Sequence, residues 1–246
     1  MMLSHWFAFG FCAALFGCSS SALDHASDAA GGTASASVGG SASGGASGGA
    51  PSSGGGGGTP DSALKSEWVP YPAGPYGTGR GAVIANLSFL GWKHPDQAQY
   101  DTSHFEVVRL SDFYNPDGKT EIKLLAINAS AVWCTVCRAE YEDMNTNGTY
   151  DAYRAKGVEL LGTLFEDNSY FPAEPADLNR WGAVSNHAVK FPLVLDPGFK
   201  MGSYFSSDAT PLNLLIDVRT MTIVSVTMGY STNYWSTTVQ NAIDKL

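Results

Sequence analysis

The chain has 246 residues and 28 glycines, and its 14 basic residues stand against 23 acidic ones for a formal charge of −9. The first Lys or Arg is Lys65, and from there on 20 acidic residues outnumber all 14 basic ones, which excludes a basic nucleic-acid footprint. The glycines follow no G-X-Y period and no apolar run of 18 or more residues follows residue 18, so collagen and a later membrane-spanning helix are excluded too.

Residues 6 to 17 form an apolar run of 12, the length of a secretory h-region. The run ends in Leu15-Phe16-Gly17-Cys18, which resembles the bacterial lipobox, with an aliphatic residue at −3 and a small one before the Cys. The resemblance implies cleavage before Cys18 and lipid attachment to its sulfur, although no Lys or Arg precedes the run and Phe16 is bulky for its place. An ordinary secretory signal with an incidental Cys18 is the alternative. Ser19 and Ser20 follow the Cys with no Asp in the next position, which by resemblance to sorting signals favours the outer membrane.

Residues 19 to 63 hold 13 Gly, 12 Ser and 10 Ala, with Leu23 and Val38 the only large aliphatic side chains. Such a segment cannot bury enough apolar surface to offset its conformational entropy, so a disordered linker is expected from 19 to 66. Its random-coil reach of roughly 35–40 Å would hold a domain clear of a membrane surface. Gly45-Ala46-Ser47-Gly48-Gly49 matches the serine-hydrolase G-x-S-x-G pattern, but outside a strand–turn–helix context it is a chance product of low complexity. The expected division is a signal with lipobox over 1–18, a linker over 19–66 and one domain over 67–246.

Three prolines at 70, 72 and 75 predict an extended lead-in over 68–76. Short strands are expected within 82–91 and over 105–110, then a turn at Asn115-Pro116-Asp117-Gly118. Ile122 to Asn128 is nearly continuous in apolar residues, as a central strand is. A helix is expected from Cys134, interrupted near Asn145-Thr146-Asn147-Gly148 and resuming through Tyr150 and Tyr153. A second central strand follows over 158–165, a helix opening on Pro over 175–187, and a short strand over 191–195. Residues 212–216 and 223–227 read as a hairpin, and 235–246 as a closing amphipathic helix. The fold class is α/β with a mixed central sheet flanked by helices.

Of four Cys, Cys12 lies in the signal and Cys18 at the lipobox, so only Cys134 and Cys137 belong to the domain. They stand in Trp133-Cys134-Thr135-Val136-Cys137, after a buried strand and at the start of a helix. A thiol at a helix N-terminus faces free N–H groups and the positive end of the dipole, which favour the thiolate and make Cys134 the nucleophile. A residue three further on shares that face, which makes Cys137 the resolving thiol and the more buried of the two. A structural zinc site needs more ligands than His94, His104 and His187 supply at their spacing. Covalent haem needs His where Arg138 stands. A purely structural disulfide closing so short a loop removes little chain entropy.

Trp-Cys-x-x-Cys after a strand resembles the thioredoxin superfamily. The surroundings resemble its extracytoplasmic TlpA/ResA-like branch, related to the redoxin and AhpC/TSA families. Asn128, six residues before the first Cys, and Glu140, three after the second, match that branch. Thr210-Pro211 before an apolar strand corresponds to the superfamily's cis-proline. The resemblance covers roughly 82–246 and implies a thioredoxin-like fold and a redox-active Cys134–Cys137 disulfide that needs no metal or other cofactor. By the same resemblance Glu140 accepts a proton from Cys137, Asn128 joins the site, Trp133 shields the disulfide, and Thr210 and Pro211 present backbone to an incoming peptide. The branch often has Pro between its cysteines, where this chain has Thr135-Val136, so its redox potential does not carry over, and Pro where Glu142 stands.

The expected function is a lipid-anchored thiol-disulfide oxidoreductase of the cell envelope. Its expected partners are exported proteins bearing disulfides or thiols, together with an envelope electron donor or acceptor. A peroxiredoxin-like antioxidant is the alternative on the same fold, but the P-x-x-x-T-x-x-C signature is missing, with Ile127 and Ala131 in the Pro and Thr places. A non-catalytic binding module or metallochaperone using the thioredoxin groove is the third reading.

Overall fold

The computed structural model describes residues 69–95, 102–183, 189–205 and 209–246. The signal, lipobox, Cys12, Cys18, the linker and His187 lie outside the described residues.

A seven-stranded mixed sheet organises the domain: β1 (Ser88–Trp92), β2 (Glu106–Arg109), β3 (Leu124–Ser130), β4 (Val158–Leu164), β5 (Leu193–Leu195), β6 (Leu212–Asp217) and β7 (Thr222–Met228). Their order across the sheet is β2-β1-β5-β4-β3-β6-β7. Strand β3, Leu-Leu-Ala-Ile-Asn-Ala-Ser, is buried at every position because it lies between β4, parallel to it, and β6, antiparallel to it. A strand covered on both faces by other elements reads as an apolar run, and here the run is broken by Asn128 and Ser130. At the edges the burial thins, and only Val108 of β2 is buried.

Strand β3 starts two residues later than the apolar run predicts and continues to Ser130, because its ladder with β4 pairs Leu124 with Val158 and ends at Ser130 opposite Leu164. That extension carries the chain to the end of its strand at Ser130, four residues before Cys134. Helix α1 (Thr135–Thr146) follows, and Cys137, Glu140, Tyr141 and Met144 form its buried face. This i, i+3, i+4, i+7 stripe is the period of an amphipathic helix. The predicted interruption falls at Asn147-Gly148, where Gly148 takes φ 74°, a left-handed conformation that Gly adopts at no steric cost, and α2 (Thr149–Arg154) follows.

One contact sets the height of α1 on the sheet. A Cβ at Gly162 of β4 would collide with the Tyr141 hydroxyl, so only Gly lets the helix sit this close. Tyr141 also packs edge-on against Trp181 at 5.2 Å and against Phe191 at 5.5 Å between ring centroids. Both partners belong to the segment after β4, so the same tyrosine joins α1, β4, α3 (Pro175–Gly182) and the approach to β5.

Two helices differ from expectation. Helix α3 ends at Gly182, short of the predicted His187, and residues 184–188 lie outside the described set. The C-terminal segment winds first as a π-helix over Tyr234–Val239 and only then as α4 (Gln240–Ile243). Its i→i+5 winding brings Val239 into line with Tyr234, so Tyr234, Trp235 and Val239 are all buried. Trp235 packs on Tyr153 of α2 at 5.2 Å.

Candidate functional site

The site sits at the N-terminus of α1, where the chain leaves β3. Cys134 is the N-cap residue, with extended backbone, and its Sγ accepts a hydrogen bond from the Cys137 N–H at 3.0 Å. The helix thus aims one of the free N–H donors of its first turn at the sulfur, as helix N-termini do for any electron-rich group. Cys134 and Cys137 are joined as a disulfide, their Cα atoms 5.3 Å apart. Cys134 is 3% exposed and Cys137 fully buried, so what access there is to the pair lies on the Cys134 side.

Across the cleft, the Thr210–Pro211 peptide bond is cis, and the Thr210 hydroxyl donates to Cys134 Sγ at 3.2 Å. One donor three residues from Cys134 and one 76 residues away therefore converge on one sulfur. The Pro211 carbonyl accepts the Gly229 N–H at 2.8 Å, which ties the turn to the end of β7.

Beneath the disulfide is a buried polar cluster. Asn128 of β3 and Asn213 of β6 are direct cross-strand partners, so their side chains emerge on the same face of the sheet, beneath α1. The Asn128 amide donates to Glu140 Oε2 at 2.8 Å and to Asn213 Oδ1 at 2.9 Å. The Asn213 amide donates to Glu140 Oε1 at 3.1 Å and Oε2 at 3.4 Å. Ser130 closes the set by donating to Asn128 Oδ1 at 2.7 Å. Glu140 is 1% exposed and lies one helical turn beyond Cys137 on the same face. Burial pushes its carboxyl up to about 7, the nearby Asp143 adds to the rise, and the two amides hold it lower than burial alone would. A carboxyl so poised takes or gives a proton near neutrality.

Trp133 is half-buried: its indole N–H donates to Glu166 at 2.8 Å, and its ring lies 5.3 Å from that of Tyr170. The structure thus brings Asn128, Cys134, Cys137, Glu140, Thr210 and Pro211 into one site and places Trp133 at its rim. Sequence reading passed over Asn213, Ser130 and Glu166. Asn213 left a signal, being the single polar side chain inside the apolar stretch Leu212-Asn213-Leu214-Leu215-Ile216; Glu166 left none. Among the described residues no group of three or more His, Cys, Asp or Glu is arranged to hold a metal ion.

Against known proteins, the AhpC/TSA family profile matches residues 90–225, just over half of the chain. The thiol-disulfide oxidoreductases ResA of Bacillus thuringiensis (strain Al Hakam) and Bacillus anthracis are each 29% identical over 91 residues, 37% of this chain and 47% of theirs. The match therefore spans about half the length of these curated relatives. A Chlorobium tepidum structure assigned as a thiol:disulfide interchange protein DsbE superposes with TM-score 0.50 at 18% identity, over 68% of this chain and 98% of that one. This last likeness establishes the thioredoxin-like fold.

Proposed function

The chain belongs to the AhpC/TSA family, and from that premise we propose that it is a thiol-disulfide oxidoreductase working through Cys134 and Cys137. The observation that carries the reading is the setting of the Cys134 sulfur. It is bonded to Cys137, receives hydrogen bonds from the Cys137 N–H and the Thr210 hydroxyl, and is the sulfur on the accessible side of the pair. When the disulfide is open, the same two donors stabilise a thiolate at Cys134.

In the reducing direction the Cys134 thiolate attacks one sulfur of a client disulfide. A Cys134–client bond forms, and the client's second sulfur leaves as a thiolate. Cys137, its proton passed to the Glu140 carboxylate, then attacks Cys134 Sγ and releases the client's first sulfur. Two electrons have moved to the client, and the protein is left with the Cys134–Cys137 disulfide. A dithiol donor must reopen it for another cycle. Run backwards, the same steps oxidise a client dithiol. Asn128 and Asn213 hold the Glu140 carboxylate in place, and Thr210-Pro211 forms the wall along which the client chain passes.

The clients are exported proteins carrying disulfides or thiols, and the domain is tethered to the envelope membrane through lipid on Cys18. The lipobox-like Leu15-Phe16-Gly17-Cys18 and the Gly/Ser/Ala stretch after it support that placement. Cys18→Ser should move the protein from the membrane to the soluble fraction, and unchanged membrane fractionation would remove the anchor from the scheme.

The decisive experiment for the activity is substitution of each thiol. Cys137→Ser should accumulate a mixed disulfide with a client through Cys134, and Cys134→Ser should abolish reduction of insulin. If the double-serine variant reduced insulin as fast as wild type, the proposal would fail. The reduction potential of the pair assigns direction: a value near −250 mV or lower, on the order of thioredoxin's, marks a reductant, and one near about −120 mV an oxidant.

A further inference from the structure

Next to the redox site the chain between β4 and α3 presents two aromatic rings to solvent. Tyr170 is 69% exposed and Phe171 67%, the two most exposed large apolar side chains among the described residues. Tyr170 holds φ at 63°, a left-handed backbone that an aromatic residue adopts only against a steric cost. The loop is firmly built. Asp167 N–H donates to the Phe171 carbonyl at 2.8 Å, while Asp167 Oδ1 accepts the N–H groups of Ser169 at 2.7 Å and Phe171 at 2.9 Å.

The loop is also anchored to the active-site segment. Glu166 accepts the Trp133 indole N–H, and the Tyr170 ring lies 5.3 Å from the Trp133 ring, next in sequence to Cys134. On the helix side of Cys134, Val136 is a third exposed apolar side chain. The two carboxylates that could make this rim polar are both turned inward, Glu166 onto Trp133 and Asp167 onto its own loop. The outcome is an exposed apolar patch beside the segment that carries the redox pair, stiffened by hydrogen bonds.

We propose that Tyr170 and Phe171 form the docking surface for an extended client segment bearing a bulky apolar or aromatic side chain within a few residues of its redox cysteine. This rests on the thiol-disulfide exchange proposed above and deepens it by naming the client's chemistry. Size selects the occupant. Two aromatic rings about two-thirds exposed offer roughly 200–350 Å² together, well short of the roughly 800 Å² per partner that a stable interface with a second copy requires. That area suits one or two side chains of a passing strand. A rigid platform binds such a segment without first ordering itself, so more of the contact energy is kept, and aromatic anchors are the residue type that dominates small interfaces. The Tyr170 ring reaches the redox segment through Trp133, the residue before Cys134, a separation that a few residues of extended client chain can span.

The test uses the reduced full-length protein and two peptides closed by the same intrachain disulfide, one flanked by Phe and Leu and the other by Ser and Thr. Hydroxyethyl disulfide, too small to span to the loop, is the internal reference. Wild type should reduce the Phe/Leu peptide at least tenfold faster than the Ser/Thr peptide. In Tyr170→Asn with Phe171→Ser, where Asn tolerates the left-handed backbone, that ratio should fall to within twofold of unity with the hydroxyethyl disulfide rate unchanged within twofold. Tyr170→Phe, which keeps the ring, should preserve the ratio. A wild-type ratio near one, or a ratio that survives the double variant, overturns the docking surface while leaving the activity standing. A dimer in sedimentation that the double variant dissolves also overturns it, by making a second copy the occupant. Wild type inert toward both peptides and hydroxyethyl disulfide would instead bring down the exchange reaction itself, and the docking surface with it.

Discussion

Replacing Glu140 by Gln should change how stability varies with pH. The Glu140 carboxyl rests at about 7 in the folded protein against an ordinary 4.5, chiefly because it is buried. Below pH 4.5 it is protonated in both folded and unfolded chains. Between 4.5 and 7 the unfolded chain releases this proton while the folded chain keeps it, so raising the pH draws the equilibrium toward unfolding. Above 7 both states are ionised and the loss is complete. At about 1.4 kcal/mol per pH unit, the interval from 4.5 to about 7 amounts to about 3 kcal/mol. Urea unfolding of the oxidised protein at pH 4 to 8 and constant ionic strength, followed by tryptophan fluorescence, measures it. Gln also changes absolute stability, since its own amide must turn to offer Oε1 to Asn128 and Asn213, but that offset does not vary with pH. The stability difference between wild type and Glu140→Gln should therefore move by about 3 kcal/mol against wild type as pH rises through the window. Parallel curves for the two proteins would refute the claim that this carboxyl stays protonated toward neutrality.

Asn213→Leu removes one of the two amides that donate to the Glu140 carboxylate, leaving Asn128 on Oε2, so the Glu140 carboxyl should titrate at higher pH than in wild type, read by carbon NMR of the labelled side chain. Gly162→Ala drives a methyl into the Tyr141 hydroxyl and should cost about 1–3 kcal/mol in urea unfolding, with α1 displaced from β4. Asp196→Ala leaves the N–H groups of Lys200 and Met201 without the carboxylate that accepts them at 2.9 and 3.0 Å, and should cost on the order of 1–3 kcal/mol in the same assay. Trp133→Phe loses the indole hydrogen bond to Glu166 and should lower stability by about 1 kcal/mol while retaining disulfide exchange.

The elements that were legible in the sequence are those whose cause is local. The apolar run of β3, the β6–β7 hairpin, the helix opening at Cys134 and its break at Gly148 follow from side-chain period, turn residues and glycine freedom, each acting over a few positions. The C-terminal segment misled because its apolar spacing suits an α-helix, whereas the chain winds as a π-helix over Tyr234–Val239, packed through Trp235 on Tyr153 of α2, before α4 begins. Asn213 was visible as a polar residue in an apolar strand, yet its purpose depends on β6 lying beside β3 in the register that pairs it with Asn128. Tyr170 and Phe171 carried no sequence signal of their own, since two aromatics in a loop are ordinarily folded inward.

By itself the sequence determined that one acidic α/β domain carries a Cys-x-x-Cys pair at a helix start, because a thiol pair three residues apart and an apolar strand before it are properties of neighbouring residues. Only the tertiary structure decided what surrounds that pair. The hydroxyl of Thr210 reaches Cys134 from 76 residues away, and Asn213 reaches Glu140 from 73. The proton affinity of Glu140 is set by how much protein excludes water from it, a sum over elements distant in the chain. Burial and convergence are properties of the packed sheet and helix together, and no local pattern encodes them.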